Sequence, residues 1–303
     1  AVFYTLEQRR TDEPRIERNL DNCLLCHSSS RTNEVPGHLV RSLFVDHDGQ
    51  PIYSAGSQSV DHTTPFEKRW GGWYVTGKHG RQTHLGNLLV PRNADPHSVD
   101  NAEGQNVLRL DDRLDVSRYL TPHSDIVALM VLEHQTLMHN RLTQANYAAR
   151  QALEHEATLN KALGEPADHR FESTTRRIQN AGDKLVEALL FVDEAKLTAP
   201  ISGTSAFAEQ FARRGPHDPQ GRSLRQLDLR ERLLRYPCSY LIYSEAFDRL
   251  PPEMLEYVWR QLWETAEKPP EAYDHLSPAD RQAIVEIVRA TKPNLPACWK
   301  AQP

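Results

Sequence analysis

Between Pro122 and Gly164 the chain has neither glycine nor proline. Its apolar residues recur there at three- and four-residue intervals, the period of an α-helix. Ser124 supplies an N-cap with Asp125 in the first turn, and Gly164 with Pro166 beyond it supplies the stop. The pattern predicts one helix of about 40 residues, with 147–152 as the place for a break. A second helical period covers 173–196, where Ile178, Leu185, Leu189 and Val192 share a face. Further helices are expected from Thr204 or Ser205 to Gly215, over 224–236 behind the cap Ser223, and after Pro251-Pro252. Ser277-Pro278-Ala279-Asp280 reads as a capping box with proline at the first helical position, before another helix.

The first 120 residues have a different rhythm. Residues 38–56 alternate between apolar and polar around Asp48-Gly49, the signature of a β-hairpin. A short helix is expected near 14–22, starting at Pro14, and 28–37 form a polar loop ending in Pro36-Gly37. Residues 57–120 are rich in Gly, Pro, Asn, Asp and Thr and read as loops, with one aromatic cluster at 69–87. The fold expected is therefore mainly α: a loop-rich section with a hairpin, 1–120, packed on a helical bundle with one long helix, 121–303. A loop-rich segment of that length needs a scaffold, so the two sections are also compatible with one integrated domain.

The chemistry concentrates at one point. Of four cysteines in 303 residues, two lie at Cys23 and Cys26 with His27 directly behind them. Three chemistries use such a pair. A zinc knuckle needs a second ligand pair, but Cys238 and Cys298 stand alone and no histidines have finger spacing. A thioredoxin-like pair should follow a strand and open a helix, whereas polar segments flank this one. Covalent haem attachment needs C-x-x-C-H itself: two thiols for the vinyl groups and an adjoining imidazole for the iron.

Cys23-Leu24-Leu25-Cys26-His27 resembles the haem-attachment motif of c-type cytochromes. The resemblance covers five residues and occurs once. It implies one covalent haem c, thioether bonds at Cys23 and Cys26, and His27 as proximal iron ligand. It also implies assembly outside the cytoplasm, in a periplasm or an equivalent compartment. The start at Ala1 rather than Met agrees with a chain trimmed after export. In an oxidising compartment Cys238 and Cys298 are able to pair.

Charge and hydropathy narrow the rest. With 41 acids against 36 bases the net charge is −5, and no basic block suggests nucleic acid. No apolar run reaches the length of a transmembrane helix.

The distal side of the iron decides between electron transfer and chemistry. Small cytochromes c that use methionine carry it in a loop soon after the motif, but the first methionine after His27 is Met130, inside the long helix. Two regions offer ligands instead. On the long helix, Met130, His134 and Met138 share a face, with His134 and Met138 as the candidates and His139 about 100° round from Met138. In the loop at 69–87, His79 and His84 are candidate ligands, while Trp70 and Trp73 are candidate walls for the haem. If either histidine stands near the iron without binding it, Arg81 or Arg69 beside it would resemble the distal His/Arg pair of haem peroxidases. His38, His47, His62 and His97, in segments such as "DHDG" and "VDHTT", read as solvated loops.

The leading expectation is a periplasmic monohaem cytochrome that passes single electrons to a redox partner protein. A haem enzyme of peroxidase type with an open distal site is the alternative. A third is a haem subunit of a larger redox complex, docking through Tyr257, Trp259 and Trp263.

Overall fold

A computed structural model describes residues 1–300. Its elements, in order, are strands β1 (Phe3–Leu6) and β2 (Ile16–Asn19), helix α1 (Leu24–His27), strands β3 (Arg41–Leu43) and β4 (Ser57–Ser59), and helices α2 (Ile126–Leu163), α3 (Glu172–Leu189), α4 (Phe207–Arg213), α5 (Glu245–Asp248), α6 (Pro252–Glu267) and α7 (Pro278–Thr291). The fold is mainly α, with 43% of residues helical and, among the described residues, only two small two-stranded sheets.

The run free of glycine and proline folds as one helix of 38 residues, α2, with no break at 147–152. Its cap is Asp125 rather than Ser124. One carboxylate oxygen of Asp125 accepts from the Val127 and Ala128 N–H groups. The other accepts from the N–H groups of Thr204 and Ser205 at 2.9 Å and from the Ser205 hydroxyl at 2.7 Å. One side chain thus starts the central helix and ties the 202–205 loop to it. Asp125→Ala is expected to cost about 2–4 kcal/mol, since a cap and three further bonds to a buried carboxylate are lost together. A urea midpoint giving less than about 1 kcal/mol contradicts this account.

Gly164 closes α2 in the left-handed region at φ 71°. Helices α3 and α6 pack on α2 and on each other, and α7 packs on α6. Met138, Leu185, Leu189, Met254, Val258 and Ile287 are among the core residues with no exposure. The capping box at Ser277 and Asp280 forms as the sequence predicts. Among the described residues no helix is long and apolar enough to cross a membrane.

The turn at Asp48-Gly49 forms, with Val45 bridging Pro51, but Arg41–Leu43 pair antiparallel with Ser57–Ser59, beyond the expected 38–56, and Tyr53–Ala55 form a 3-10 turn. Gly49 takes φ 77° at the turn. The loops of 57–120 are fastened to the bundle: the Thr76 N–H donates to Ser124 O, the Ile126 N–H to Thr76 O, and Lys78 bridges Ser202.

Three expectations fail. Residues 14–22 are not a helix, because Ile16–Asn19 pair with Phe3–Leu6 in a second hairpin. Residues 224–236 are not helical either. There the Asp228 carboxylate accepts from the Arg230 and Glu231 N–H groups, Leu229 sits at φ 59°, and Leu227 bridges Leu234. A short aspartate that bonds its own downstream backbone displaces the helical ladder. Helix α3 ends at Leu189, short of 196, since Phe191 and Asp193 take left-handed φ values of 57° and 60°. Cys238 and Cys298 are not bonded to each other. Cys238 lies in the core, where burial pushes its thiol up to about 12.

Candidate functional site

The motif begins one turn of helix. Cys23 is the N-cap of α1 and Cys26 and His27 lie in its only turn, so the two thiols, three residues apart, share a side. The Asn19 side chain steadies the start by accepting from the Cys23 N–H at 3.2 Å. Both thiols are free, and Leu25 between them is 79% exposed.

His27 is fixed at one nitrogen. Its Nδ1 lies 3.0 Å from Gly37 O. A carbonyl only accepts, so Nδ1 carries the proton and Nε2 keeps its lone pair. That is the tautomer a metal-binding imidazole needs. The Phe3 ring packs on His27 with centroids 4.6 Å apart. Phe3 comes from β1, so the unforeseen hairpin positions the motif. The other face of that hairpin is apolar and exposed: Tyr4 and Leu6 lie opposite Arg18 and Ile16.

A second cluster adjoins the first. Gly37, which holds His27, is followed by His38, and the Asn140 side chain of α2 clamps the backbone of His38 on both sides. It accepts the His38 N–H at 2.9 Å and donates to His38 O at 2.8 Å. A Cβ at Gly37 would collide with Asn140 Oδ1, so glycine is required for this approach. Gln144 donates to Asn33 O one turn further along. The loop after the motif therefore lies along α2 at residues 140–144. There the ring of His139 packs on that of His38 with centroids 4.5 Å apart. His139 Nε2 is shielded from solvent and has no hydrogen-bond partner. Burial, then the neighbouring His38, lowers the His139 ring to about 4, so it is neutral near pH 7.

The candidate ligands read from the sequence lie elsewhere. His79 Nδ1 donates to Gln82 O and its Nε2 accepts from the Asn106 N–H. His84 Nδ1 accepts from the Gly86 N–H, which leaves the proton on Nε2. Neither has a free lone pair. These rings pack on each other and on Phe66, and Trp70 packs on His84. Their loop joins α2 at its first residues, Thr76 bonding Ile126. His139 is thirteen positions further, about 20 Å along the axis at 1.5 Å per residue.

Trp70 is in the core, and Trp73 donates its indole N–H to Arg41 O, so the aromatic ring against His27 is Phe3 instead. Arg81 is exposed while His79 and His84 are buried, so the expected distal His/Arg pair does not converge. On α2, Met138 has no exposure. Both nitrogens of His134 are engaged, Nδ1 with His62 at 3.1 Å and Nε2 with Ser239 at 2.7 Å. His62 is thus buried, not a solvated loop residue. Arg69 is buried too and donates to Glu133, Thr64 O and His62 O. Asp46, His47 and Asp48 bring three ligand-type atoms within 4.8 Å of one another. Asp46 is already used in its turn, and His47 accepts from Arg92.

Sequence reasoning named His139 without choosing it as a ligand, and passed over Asn140. The available signal was their polar pair interrupting the apolar stripe between Met138 and Leu142. Tyr257, Trp259 and Trp263 do not form a docking face. Trp259 and Trp263 pack on Trp299, and Tyr257 donates to Asp183. No family model, curated protein or solved structure matches the chain, so its functional reading rests on the chemistry of these residues.

Proposed function

We propose that this chain is an exported monohaem c-type cytochrome that carries single electrons to and from a redox partner protein. The observation that carries this reading is the state of the motif. Two unpaired thiols share a side of one exposed turn, and the imidazole next to them is fixed at Nδ1 and free at Nε2. Those residues fit haem c. Cys23 and Cys26 would hold it by thioether bonds, His27 Nε2 would bind the iron, and Gly37 O would orient the imidazole and raise its basicity. Once bound, the haem supplies an iron that cycles between ferric and ferrous, one electron at a time.

The chain's own residues do the rest. Phe3 and Asn19 steady the proximal side. Exposed Leu20 and Leu25 leave the edge near the motif accessible to a partner, and electron exchange needs such an edge. A peroxidase needs a distal acid–base group with a cation to stabilise the departing oxygen. The pair suggested by the sequence does not converge, since Arg81 is exposed and His79 and His84 are held by backbone bonds. Electron transfer is therefore favoured over catalysis. Thioether formation outside the cytoplasm, which the resemblance implies, makes an exported location part of the same proposal.

The test is expression with an export signal beside a complete haem-maturation system. The purified chain is expected to exceed the polypeptide mass by one haem and to give reversible ferric and ferrous spectra. Cys23→Ser with Cys26→Ser is expected to abolish covalent attachment. A colourless wild-type chain of bare polypeptide mass overturns the reading.

A further inference from the structure

The geometry points to Asn140 of α2 as a positioning residue for the His27 imidazole: it accepts a hydrogen bond on the far side of the one peptide that orients His27, and so lowers the reduction potential of the haem. The inference rests on the haem reading above and adds to it a group on the central helix that tunes the iron.

The relay runs through a single peptide unit. His27 Nδ1 donates to Gly37 O at 3.0 Å, and the N–H of that same peptide, which belongs to His38, donates to Asn140 Oδ1 at 2.9 Å. The bond from Gly37 to His38 is trans, so its C=O and N–H point opposite ways. The imidazole and the Asn140 amide therefore flank one peptide from opposite sides. The sense of the amide follows from its partners. The His38 N–H only donates and His38 O only accepts, so Oδ1 faces the first and Nδ2 the second, at 2.8 Å. The bond to His38 O belongs to the next peptide and holds the amide in place. Gly37 also returns its N–H to His27 O at 2.8 Å, so both of its backbone groups are held at the motif. Asn140 is 3% exposed, which leaves little water to compete for its oxygen.

Accepting from the N–H polarises the peptide and makes its carbonyl a stronger acceptor. A stronger acceptor at Nδ1 makes the imidazole a more basic ligand at Nε2. A more basic ligand favours ferric over ferrous iron, which lowers the potential. Losing a direct partner of a metal-binding histidine changes metal affinity by about 10–100-fold. Acting one peptide further out, Asn140 is expected to shift the ferric–ferrous equilibrium by up to about tenfold, which for one electron is about 59 mV.

The experiment uses the full chain with haem attached and reads two quantities, the midpoint potential and the exchange rate of the His38 amide proton. Asn140→Leu removes the acceptor and should raise the potential while speeding exchange at His38. Asn140→Ala is read in the same way if leucine disturbs folding. Asn140→Asp keeps an acceptor for the His38 N–H but loses the donor to His38 O, and should stay at or below the wild-type potential. Gln144→Leu removes the nearby tie to Asn33 O without touching the 37–38 peptide, and should leave the potential unchanged. A side chain that merely fastened the loop would let Asn140→Asp and Gln144→Leu raise the potential as Asn140→Leu does. The assignment falls on that result, on a wild-type potential in both Asn140→Leu and Asn140→Ala, or on rapid exchange of the His38 amide in the wild type. In those cases the haem reading survives. A wild type without covalent haem removes both.

Discussion

Arg69→Met is expected to destabilise the protein by about 3–5 kcal/mol, the range found when one partner of a buried ion pair is removed. Arg69 and Glu133 are 3% and 1% exposed at their side chains and 2.8 Å apart. Burial raises the Glu133 carboxyl to about 7, with the Arg69 charge opposing that rise. Without the guanidinium, the carboxyl faces the core with no counter-charge. Two backbone acceptors, Thr64 O and His62 O, lose their donor at the same time. These carbonyls belong to the loop that carries His62 onto α2, so the damage is not confined to one pair.

Removing both charges separates these contributions. In Arg69→Met with Glu133→Leu no stranded carboxylate remains, and replacement of a buried pair by apolar residues of similar volume is often neutral or better. The two carbonyls still lack their donor, at about 1–3 kcal/mol each if left unsatisfied. The double variant should therefore recover part of the loss but not all of it. Urea midpoints of wild type, both single variants and the double variant give the coupling directly. Additive single effects, with no recovery in the double variant, would show that the pair is not the source of the cost.

Why the fold was readable and the site only half so follows from the kind of signal each leaves. The helix at 126–163 is written in local terms: forty-odd positions without a breaker, an aspartate at the start and a glycine at the end. The capping box at Ser277 and Asp280 and the turn at Asp48-Gly49 are likewise decided by neighbours in sequence. Residues 224–236 carry a helical apolar period, yet Asp228 bonds the backbone just after it and Leu227 finds Leu234 across the turn. The hairpin of Phe3–Leu6 with Ile16–Asn19 depended on a pairing between segments that are each too short to declare themselves.

The motif at 23–27 is five contiguous residues, so it can be picked out from the sequence alone. What surrounds it is set by tertiary contacts. That His134 is spent on His62 and Ser239, while His139 keeps a bare nitrogen, depends on which rings meet across 72 and 105 residues of sequence. Periodicity put Met138 and His139 about 100° apart on α2. It did not say that Met138 would enter the core while His139 packs on His38.

Acid should unfold the protein steeply below about pH 4.5, because several histidines are buried in the neutral form. Burial, partly opposed by Asp61, lowers His62 to about 4. Burial and the neighbouring His79 lower His84 to about 3. Burial, then His62, puts His134 well below its ordinary value. Each is a base with a depressed pKa, so below about 6.5 the unfolded chain binds protons that the folded chain refuses. Stability contributed by neutral His62 is lost as pH falls from about 6.5 to 4, and that of His84 from about 6.5 to 3. At about 1.4 kcal/mol per pH unit, the two account for roughly 3 and 5 kcal/mol.

Glu133 and Glu194 act in the opposite sense. Burial raises both to about 7, so the folded state holds their protons while the unfolded chain releases them above about 4.5. Their contribution is fully present below that pH and fades as pH rises towards 7. Between about pH 7 and 4.5 the carboxyls offset most of the histidine loss and stability should change little. Below 4.5 they give nothing more, and His62, His84 and His134 together set a slope of about 4 kcal/mol per pH unit down to about pH 4. His84→Gln isolates one share, since the amide oxygen can still accept from the Gly86 N–H without titrating. Urea unfolding of wild type and this variant at pH 7 and pH 4 is the measurement. The variant should narrow the gap between the two pH values by about 3 kcal/mol, and an unchanged gap would mean that His84 takes up its proton as readily in the folded protein as in the unfolded chain.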